Sequence, residues 1–495
     1  MIRTTVIKVK DSKVKTSLID YIYKYRHFEN IFIILLKNHK EDFKFLSDYS
    51  IMRAVIGDTE GGKVANDVEY IKNKYKNNQL LQDIIILSKK LKIHNLSMII
   101  RRVKGDYKRF FIDIKKGVKS NTVRAKKLSL MKNYSIPLDT NAWSIKKKNQ
   151  IGINLNSKIF YIHHYHNRLK NIIEDFKNIK SVLVKYQNNE IYLNISYNQE
   201  SIEIKTNKNI KSAGIDIGIN NLLTIFTDDK TTQSLIVDGA RFKDYNSSFN
   251  RFNAKLNNSI SKNITKWFVK DKEKDIKYPL EYNNRGIYLK KFKTFLIEKR
   301  DQFFKNEWHK LSKRVTEFFN INKVTNLYIS RNLTFAKNQG DIKLRKSTKQ
   351  NFIQIPFGRL LDYIQYKAEE LGIKVINIDE AYTSKTSCIN ADVFAVQEKA
   401  KNKEPILTND LNAGRVKRGL LKDKISNIVF NADVNGAVNH IKVATKQSFK
   451  WLKDYMFKIA NPIKIKSDYE FNIFLLNSVS DKSVLIKLRK ERCNL

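Results

Sequence analysis

Three short segments of this 495-residue chain set a carboxylate among small residues beside an apolar run. They are Gly214-Ile215-Asp216-Ile217-Gly218, Asp379-Glu380-Ala381-Tyr382-Thr383-Ser384-Lys385-Thr386-Ser387 and Asn431-Ala432-Asp433-Val434-Asn435-Gly436-Ala437. Asp216, Glu380 and Asp433, brought to one point, would offer oxygen ligands to divalent ions, Mg²⁺ first and Mn²⁺ as a substitute. Two such ions roughly 3.5–4 Å apart suit phosphodiester hydrolysis: one lowers the pKa of the attacking water and the other steadies the leaving oxygen. Each segment also has an ordinary reading. Asp433 could cap a helix, Glu380 could be a surface acid, and Gly-Ile-Asp-Ile-Gly is common in sugar-kinase and other actin-like folds. The order of the three in one very basic chain favours the metal site.

The charge points to the substrate. Lys plus Arg number 94 against 49 Asp plus Glu, a formal net charge of +45. Such an excess speaks about partners rather than fold, and the partner it predicts is nucleic acid, whose binding is driven by Lys/Arg contacts that release counterions. From Arg101 to Gln150 there are 15 Lys/Arg against 3 Asp/Glu, interleaved with Tyr107, Phe110, Phe111 and Trp143. This block, with Arg101, Arg102, Lys108 and Arg109 at its start, reads as a surface that tracks phosphates and stacks bases. Two cysteines, Cys388 and Cys493, without a C-x-x-C, give no disulfide framework and no cysteine zinc site. The expectation is a cytoplasmic, nucleoid-associated protein with no membrane partner, because no apolar run is long enough to span a bilayer. Three histidines cluster in Tyr161-Ile162-His163-His164-Tyr165-His166. On a strand only His164 and His166 share a face, and no acid or cysteine completes a metal set.

The elements that must position the acids follow from periodicity. Residues 1–14 alternate and predict a strand. Residues 15–140 predict amphipathic helices. Residues 141–205 switch to period two, with a hairpin from Ser181 to Ile195, and predict a β-domain that the first strand joins, making the helices an insertion into a β-barrel. From about 206 to 456 the pattern is mixed: strands at Ser212–Asp216, Leu222–Phe226 and Ser234–Asp238, a long helical stretch Lys243–Phe319 with a loop near Tyr278–Gly286, and a strand at Val324–Ser330. A helix at Pro356–Leu371, a strand at Lys374–Ile378 and a helix at Asn431–Ala444 complete it. Three consecutive strands, then helix-linked strands, then a helix is the chain order of an RNase H-like fold. Its first strand is central and would carry Asp216. The next ligand usually ends the fourth strand, where this chain has Ser330. Glu380, ending the fifth, could reach the same point from one strand further out, and Asp379 would then face away. Residues 457–495 read as a basic tail.

These segments resemble the RuvC nuclease domain of TnpB, the transposon-encoded relative of type V CRISPR effectors. The likeness covers about residues 206–445. Gly214 to Asn221 resembles the first RuvC motif, Asn351 to Phe357 with Tyr366-Lys367-Ala368 the stretch before the second, and Asn431 to Asn439 the third. Glu380 to Ser387 resembles the signature of a TnpB branch that lacks the glutamate on the fourth strand and carries it here. Gly414 to Leu420, with Arg415 and Arg418, resembles the basic run before the third motif.

The resemblance implies an RNA-guided, Mg²⁺-dependent DNA endonuclease. Its partners would be a guide RNA of transposon-end or CRISPR origin and double-stranded DNA beside a short flanking motif. The N-terminal half would be a β-barrel wedge with an inserted helical recognition lobe, giving an α+β multidomain protein. Many relatives carry a four-cysteine zinc ribbon between the second and third motifs. Here residues 389–430 must fold without zinc, as a lid over the site. Tyr382 and Lys385 could order that loop against phosphates, although hydroxyl runs such as Thr383 to Ser387 also cap helices. Arg415 and Arg418 could clamp the scissile strand. Two other readings remain: a cleavage-silent RNA-guided repressor, favoured by Ser330, and a transposase that joins DNA strands.

Overall fold

The computed structural model describes residues 2–39, 42–43, 46–56, 64–117, 122–126, 133–147, 150–155, 159–163, 179–187, 190–198, 210–271, 276–331 and 354–478. The chain divides into two compact units, Met1–Glu200 and Ser201–Leu495.

The first unit opens with strand β1 (Ile2–Lys8) and five helices: α1 (Ser12–Asn38), α2 (Asp48–Val55), α3 (Ala65–Lys74), α4 (Gln79–Ser88) and α5 (Ile93–Lys115). Asp11 starts α1 by accepting from the Lys13 and Val14 N–H groups at 2.8 and 3.0 Å, the N-cap role its short acceptor side chain suits. One apolar face of α1, Leu18, Ile22, Tyr25, Phe28, Phe32 and Leu35, is buried, as helical spacing requires. Strands β2 (Asn133–Leu138), β3 (Trp143–Lys147), β4 (Gln150–Asn154), β5 (Ile159–His163), β6 (Ile179–Gln187) and β7 (Glu190–Asn198) follow. They form an antiparallel sheet in the order β1-β7-β6-β2 and a smaller one in the order β3-β4-β5.

The pairing of β1 with β7, from Ile2 opposite Asn198 to Lys8 opposite Tyr192, sets the helices between two strands of one sheet. The β6–β7 hairpin matches the period-two reading, with Ile191, Leu193, Ile195 and Tyr197 alternating inward. The helical reading of 15–140 ran too far. The last helix ends at Lys115, and Tyr134, Ile136 and Leu138 point inward from β2. Pro137 cannot continue a helix and is tolerated because β2 is an edge strand. His164 and His166 lie outside the described residues.

The second unit begins with β8 (Ser212–Ile217), β9 (Asn221–Thr227) and β10 (Leu235–Asp238), then α6 (Ala240–Ser261), β11 (Ile264–Asp271), β12 (Ile276–Tyr282) and α7 (Asn284–Ile321). Next come β13 (Asn326–Ser330), α8 (Phe357–Glu370), β14 (Lys374–Ile378), α9 (Val393–Lys401), β15 (Ala413–Lys417), β16 (Leu420–Asp423) and β17 (Val429–Asn431). The unit's last described elements are α10 (Ala432–Thr445), β18 (Ile463–Ile465) and α11 (Asp468–Asn477). The main sheet runs β14-β13-β8-β9-β10-β18. Strands β8, β9 and β10 are successively antiparallel, whereas β13 is parallel to β8 and β14 to β13. The first strand is thus central, as its near-continuous apolar run requires.

Three expectations change here. The stretch Lys243–Phe319 is not one helical segment: Ile264–Asp271 and Ile276–Tyr282, rich in β-branched and aromatic residues, form a two-stranded ribbon, and Asn283 restarts the helix by accepting from Gly286 N–H at 2.8 Å. The basic tail is partly structured, since β18 pairs in parallel with β10 and α11 buries Phe471 and Leu475. Residues 389–430 form a packed subdomain rather than a lid. Strands β15, β16 and β17 make a small sheet, and Cys388, Ile389, Leu421 and Phe430 join Val434, Ala437, Val438 and Ile441 in one buried cluster. Polar bonds hold it. Asp423 accepts from Ser387 Oγ (2.5 Å), Asn390 Nδ2 (2.8 Å) and the Ser426 N–H (2.6 Å). The buried Lys442 ammonium donates to the Ala391 carbonyl (2.6 Å) and pairs with Asp392 (3.2 Å).

Candidate metal-ion site

Asp216 comes from the central strand β8, one residue from its end. Helix α10 lies directly on this strand because two glycines let it. A Cβ on Gly214 would stand 2.1 Å from the Ala437 carbonyl oxygen, and one on Gly436 would stand 3.0 Å from Asp216 Oδ2. The buried His440, one turn beyond Gly436, donates from Nδ1 to the Ile215 carbonyl at 2.8 Å and so ties the strand to the helix beside Asp216. Burial pushes the His440 pKa down to about 4, so the imidazole stays neutral.

Asp433 lies in the first turn of α10, where the partial positive charge of the helix N-terminus favours a carboxylate. The cap itself is Asn431, which accepts from the N–H groups of Asp433 (2.9 Å) and Val434 (3.0 Å). Asp433 is therefore spared the capping role, and Asn221 Nδ2 donates to its Oδ2 at 2.5 Å.

Glu380 follows β14, whose residue Ile378 pairs with Ser330 on β13. Two residues on, Glu380 shares the parity of Ile378, and its carboxylate takes a hydrogen bond from the Ser330 hydroxyl. Serine thus stands where the fourth-strand acid was expected and steadies the acid supplied from the fifth. Asp379 is exposed, and its Oδ1 accepts from the Ala381 N–H at 3.1 Å.

The loop carrying Glu380 is pinned from two helices. Asn435 Nδ2 donates to the Thr383 and Thr386 carbonyls (3.0 and 2.9 Å), and Asn439 Nδ2 to the same two (both 2.8 Å). Gln397 Nε2 holds the Asp379 and Ala381 carbonyls at 3.0 and 2.8 Å. Tyr382 turns the chain at φ 64°, a left-handed conformation uncommon for a bulky residue. The hydroxyls of Thr383, Thr386 and Ser387 bond to Glu380 O, Tyr382 O and Asp423 respectively. They build the turn rather than face a phosphate. Asn431, Asn435 and Asn439 at four-residue spacing were the legible signal of this helix face.

The electrostatics join the three acids. Burial holds the Asp216 carboxyl well above its ordinary range, with the nearby Asp433 and then Glu380 carboxylates adding to the effect. Glu380 is also raised, chiefly by burial and against the pull of Ser330. Among the described residues none of the three is paired with a Lys or Arg. Carboxylates crowded this way, supported by neutral donors, fit hard divalent cations. Among the described residues, no three or more His, Cys, Asp or Glu side chains stand close enough together to hold a metal ion by themselves. Any ion here would take its remaining ligands from water or substrate.

The basic residues divide. Lys108, Arg109, Lys385, Arg415 and Arg418 are exposed, and the last two lie on β15 and the turn after it. Arg101 is exposed but pairs with Asp48 at 3.3 Å. Arg102 is turned inward, donating to the Ser135 carbonyl (2.7 Å) and Glu29 (3.1 Å), so its guanidinium is committed within the protein. Charge density in the sequence does not distinguish a core arginine from a surface one. No described helix is long and apolar enough to cross a membrane.

Comparison with known proteins agrees with the motif resemblance over one segment. Residues 357–440 match the family described as "Cas12f1-like, TNB domain", which includes Glu380 and Asp433. Through these residues the chain is similar to miniature type V CRISPR effectors and TnpB-like proteins. No curated protein matches. One matching solved structure is described as the cryo-EM structure of the Cas12f1-sgRNA-target DNA complex, at 16% identity, TM-score 0.28, covering 89% of this chain and 98% of that one. Another is described as the cryo-EM structure of a CRISPR-Cas12f ternary complex, at 15% identity, TM-score 0.30, covering 87% and 85%. Superpositions this loose fix no residue correspondence.

Proposed function

We propose that the protein is an RNA-guided, Mg²⁺-dependent endonuclease that cuts double-stranded DNA beside a short flanking motif. Residues 206–445 would act as an RNase H-like domain of the RuvC kind. The observation that supports this reading is that the buried Asp216 carboxyl feels both the Asp433 and the Glu380 carboxylates, while none of the three pairs with a Lys or Arg among the described residues. The strand order, the +45 charge and the Cas12f1-like segment support it.

Bound divalent ions would supply an activated water and neutralise charge at the leaving oxygen. The chain's own residues prepare that site. Asp216, which feels both other acids, would hold the ions together with Asp433 and Glu380. Asn221 orients Asp433 and Ser330 orients Glu380. Arg415 and Arg418, reaching solvent from the small sheet whose last strand runs straight into α10, hold phosphates of the strand to be cut through bidentate bonds. The first unit, with Lys108 and Arg109, grips the guide–target duplex by its backbone, while base pairing reads sequence.

The test is cleavage of a target plasmid by protein purified with its RNA, in Mg²⁺. Asp216→Ala and Asp433→Ala abolish cutting and leave RNA-dependent DNA binding intact. Glu380→Gln does the same, and full activity in that variant would remove Glu380 from the site. A second reading is a repressor that binds guided DNA without cutting, favoured by Ser330 and by the lack of three acids around one point. Persistent binding without nicking by the wild type would establish it.

A further inference from the structure

Within the first unit, α1, α5 and residues 122–126 line a solvent-open cleft of about 700 Å³, inside the roughly 300–1,000 Å³ of small-molecule sites. Arg26, Glu29 and Ile33 line it from one face of α1, and Asp106, Arg109 and Phe110 from one face of α5. The third wall is anchored by Asn30, which donates to the Lys126 carbonyl at 2.7 Å and accepts from the Lys126 N–H at 3.0 Å.

The floor carries an excess positive charge. Glu29 accepts from Arg26 at 2.7 Å and from Arg102 at 3.1 Å, and the Tyr134 ring lies 5.0 and 5.3 Å from the two guanidinium carbons. Burial keeps the Tyr134 hydroxyl neutral. Two cations therefore share one carboxylate, with Arg26 only 9% and Glu29 only 6% exposed. An arrangement short of one anion is stabilised by an anionic ligand. Arg109, Arg124 and Lys126 place further cations along the lining. Beside them Phe110, held edge-on by Phe111 at 5.3 Å, offers a ring face, and Asp106 a carboxylate acceptor.

We propose that this cleft takes one unstacked nucleotide of an RNA strand. The phosphate sits against Arg109, Arg124 and Lys126, the base lies on Phe110, and Asp106 accepts from the ribose 2′-hydroxyl. Cations, an aromatic face and a hydroxyl acceptor together match the chemistry of single-stranded RNA recognition. The proposal deepens the RNA-guided reading and rests on it for the source of the strand.

The test uses the full chain, stripped of nucleic acid in high salt, and a fluorescein-labelled short oligouridine RNA read by anisotropy. Phe110→Ala weakens binding by about tenfold without changing the salt slope, and Phe110→Tyr restores it. Arg109→Ala weakens binding and lowers the salt slope by about 0.7. Lys76→Ala, exposed in the turn after α3 and outside the basic block, changes affinity less than twofold. Thermal melts confirm that each variant folds. Wild-type binding with no loss in Phe110→Ala overturns the cleft alone. No RNA binding by the wild type overturns both the cleft and the guided reading. Two further outcomes overturn the RNA assignment: loss confined to a DNA oligonucleotide of the same length, or displacement of the oligouridine by free AMP through the same residues.

Discussion

Asp216 carries an ionisation cost set by its surroundings. Its carboxylate is held above the ordinary range by burial and by two neighbouring acids. In the unfolded chain it ionises near pH 3.9. Without metal, the folded state therefore loses stability as the pH rises from that value through the raised folded pKa. Asp216→Asn removes the penalty: in EDTA at pH 7 its melting temperature exceeds that of the wild type, and the gain vanishes near pH 4. Mg²⁺ raises the wild-type melting temperature and leaves that of the variant nearly unchanged. Ser330 acts in the opposite sense on Glu380, lowering a pKa that burial raises. Ser330→Ala therefore moves the acid limb of the cleavage pH profile to higher pH, whereas a purely structural serine would leave the profile in place.

At the scale of elements, the contact between α10 and β8 sets how near Asp433 comes to Asp216. Gly214→Ala puts a methyl group 2.1 Å from the Ala437 carbonyl. It costs on the order of 4 kcal/mol through backbone overpacking, read as a lowered denaturation midpoint. Asn439→Ala alone leaves each of the two buried carbonyls of the Glu380 loop one donor and costs about 0.5–1.5 kcal/mol, and removing Asn435 as well orphans both carbonyls at about 1–3 kcal/mol each. Because both side chains bond the same two carbonyls, the double variant departs from additivity. The strands that carry or precede Asp216 and Glu380 were legible as short apolar runs bounded by turn residues, and the helix that carries Asp433 by its Asn431 cap and 14-residue length. The β11–β12 ribbon was not, since its aromatic residues also fit helical spacing and only pairing separates the two.

For the molecule as a whole, a net charge of +45 predicts RNA affinity that falls by roughly 10³ or more between about 50 and 200 mM salt. Filter binding across that range checks it, and a flat response would mean that few phosphates are contacted. The same charge bias made the basic block from Arg101 onward look uniform. In the folded first unit it separates into an inward Arg102, which shares Glu29 with Arg26, and an outward Lys108 and Arg109.

By itself the amino-acid order singled out Asp216, Glu380 and Asp433 as candidate acids, gave the strand sequence that makes β8 central, and set the +45 charge from which a polyanionic partner is expected, because composition and local period are properties of contiguous residues. Folding decided that Ser330, Asn435, Asn439, Gln397 and His440 surround the strand end, loop and helix start that carry the acids, that residues 389–430 knit together around Asp423, and that two arginines close over one glutamate. Those arrangements join side chains tens to hundreds of residues apart, and no local pattern carries the geometry of a contact made only when distant elements pack.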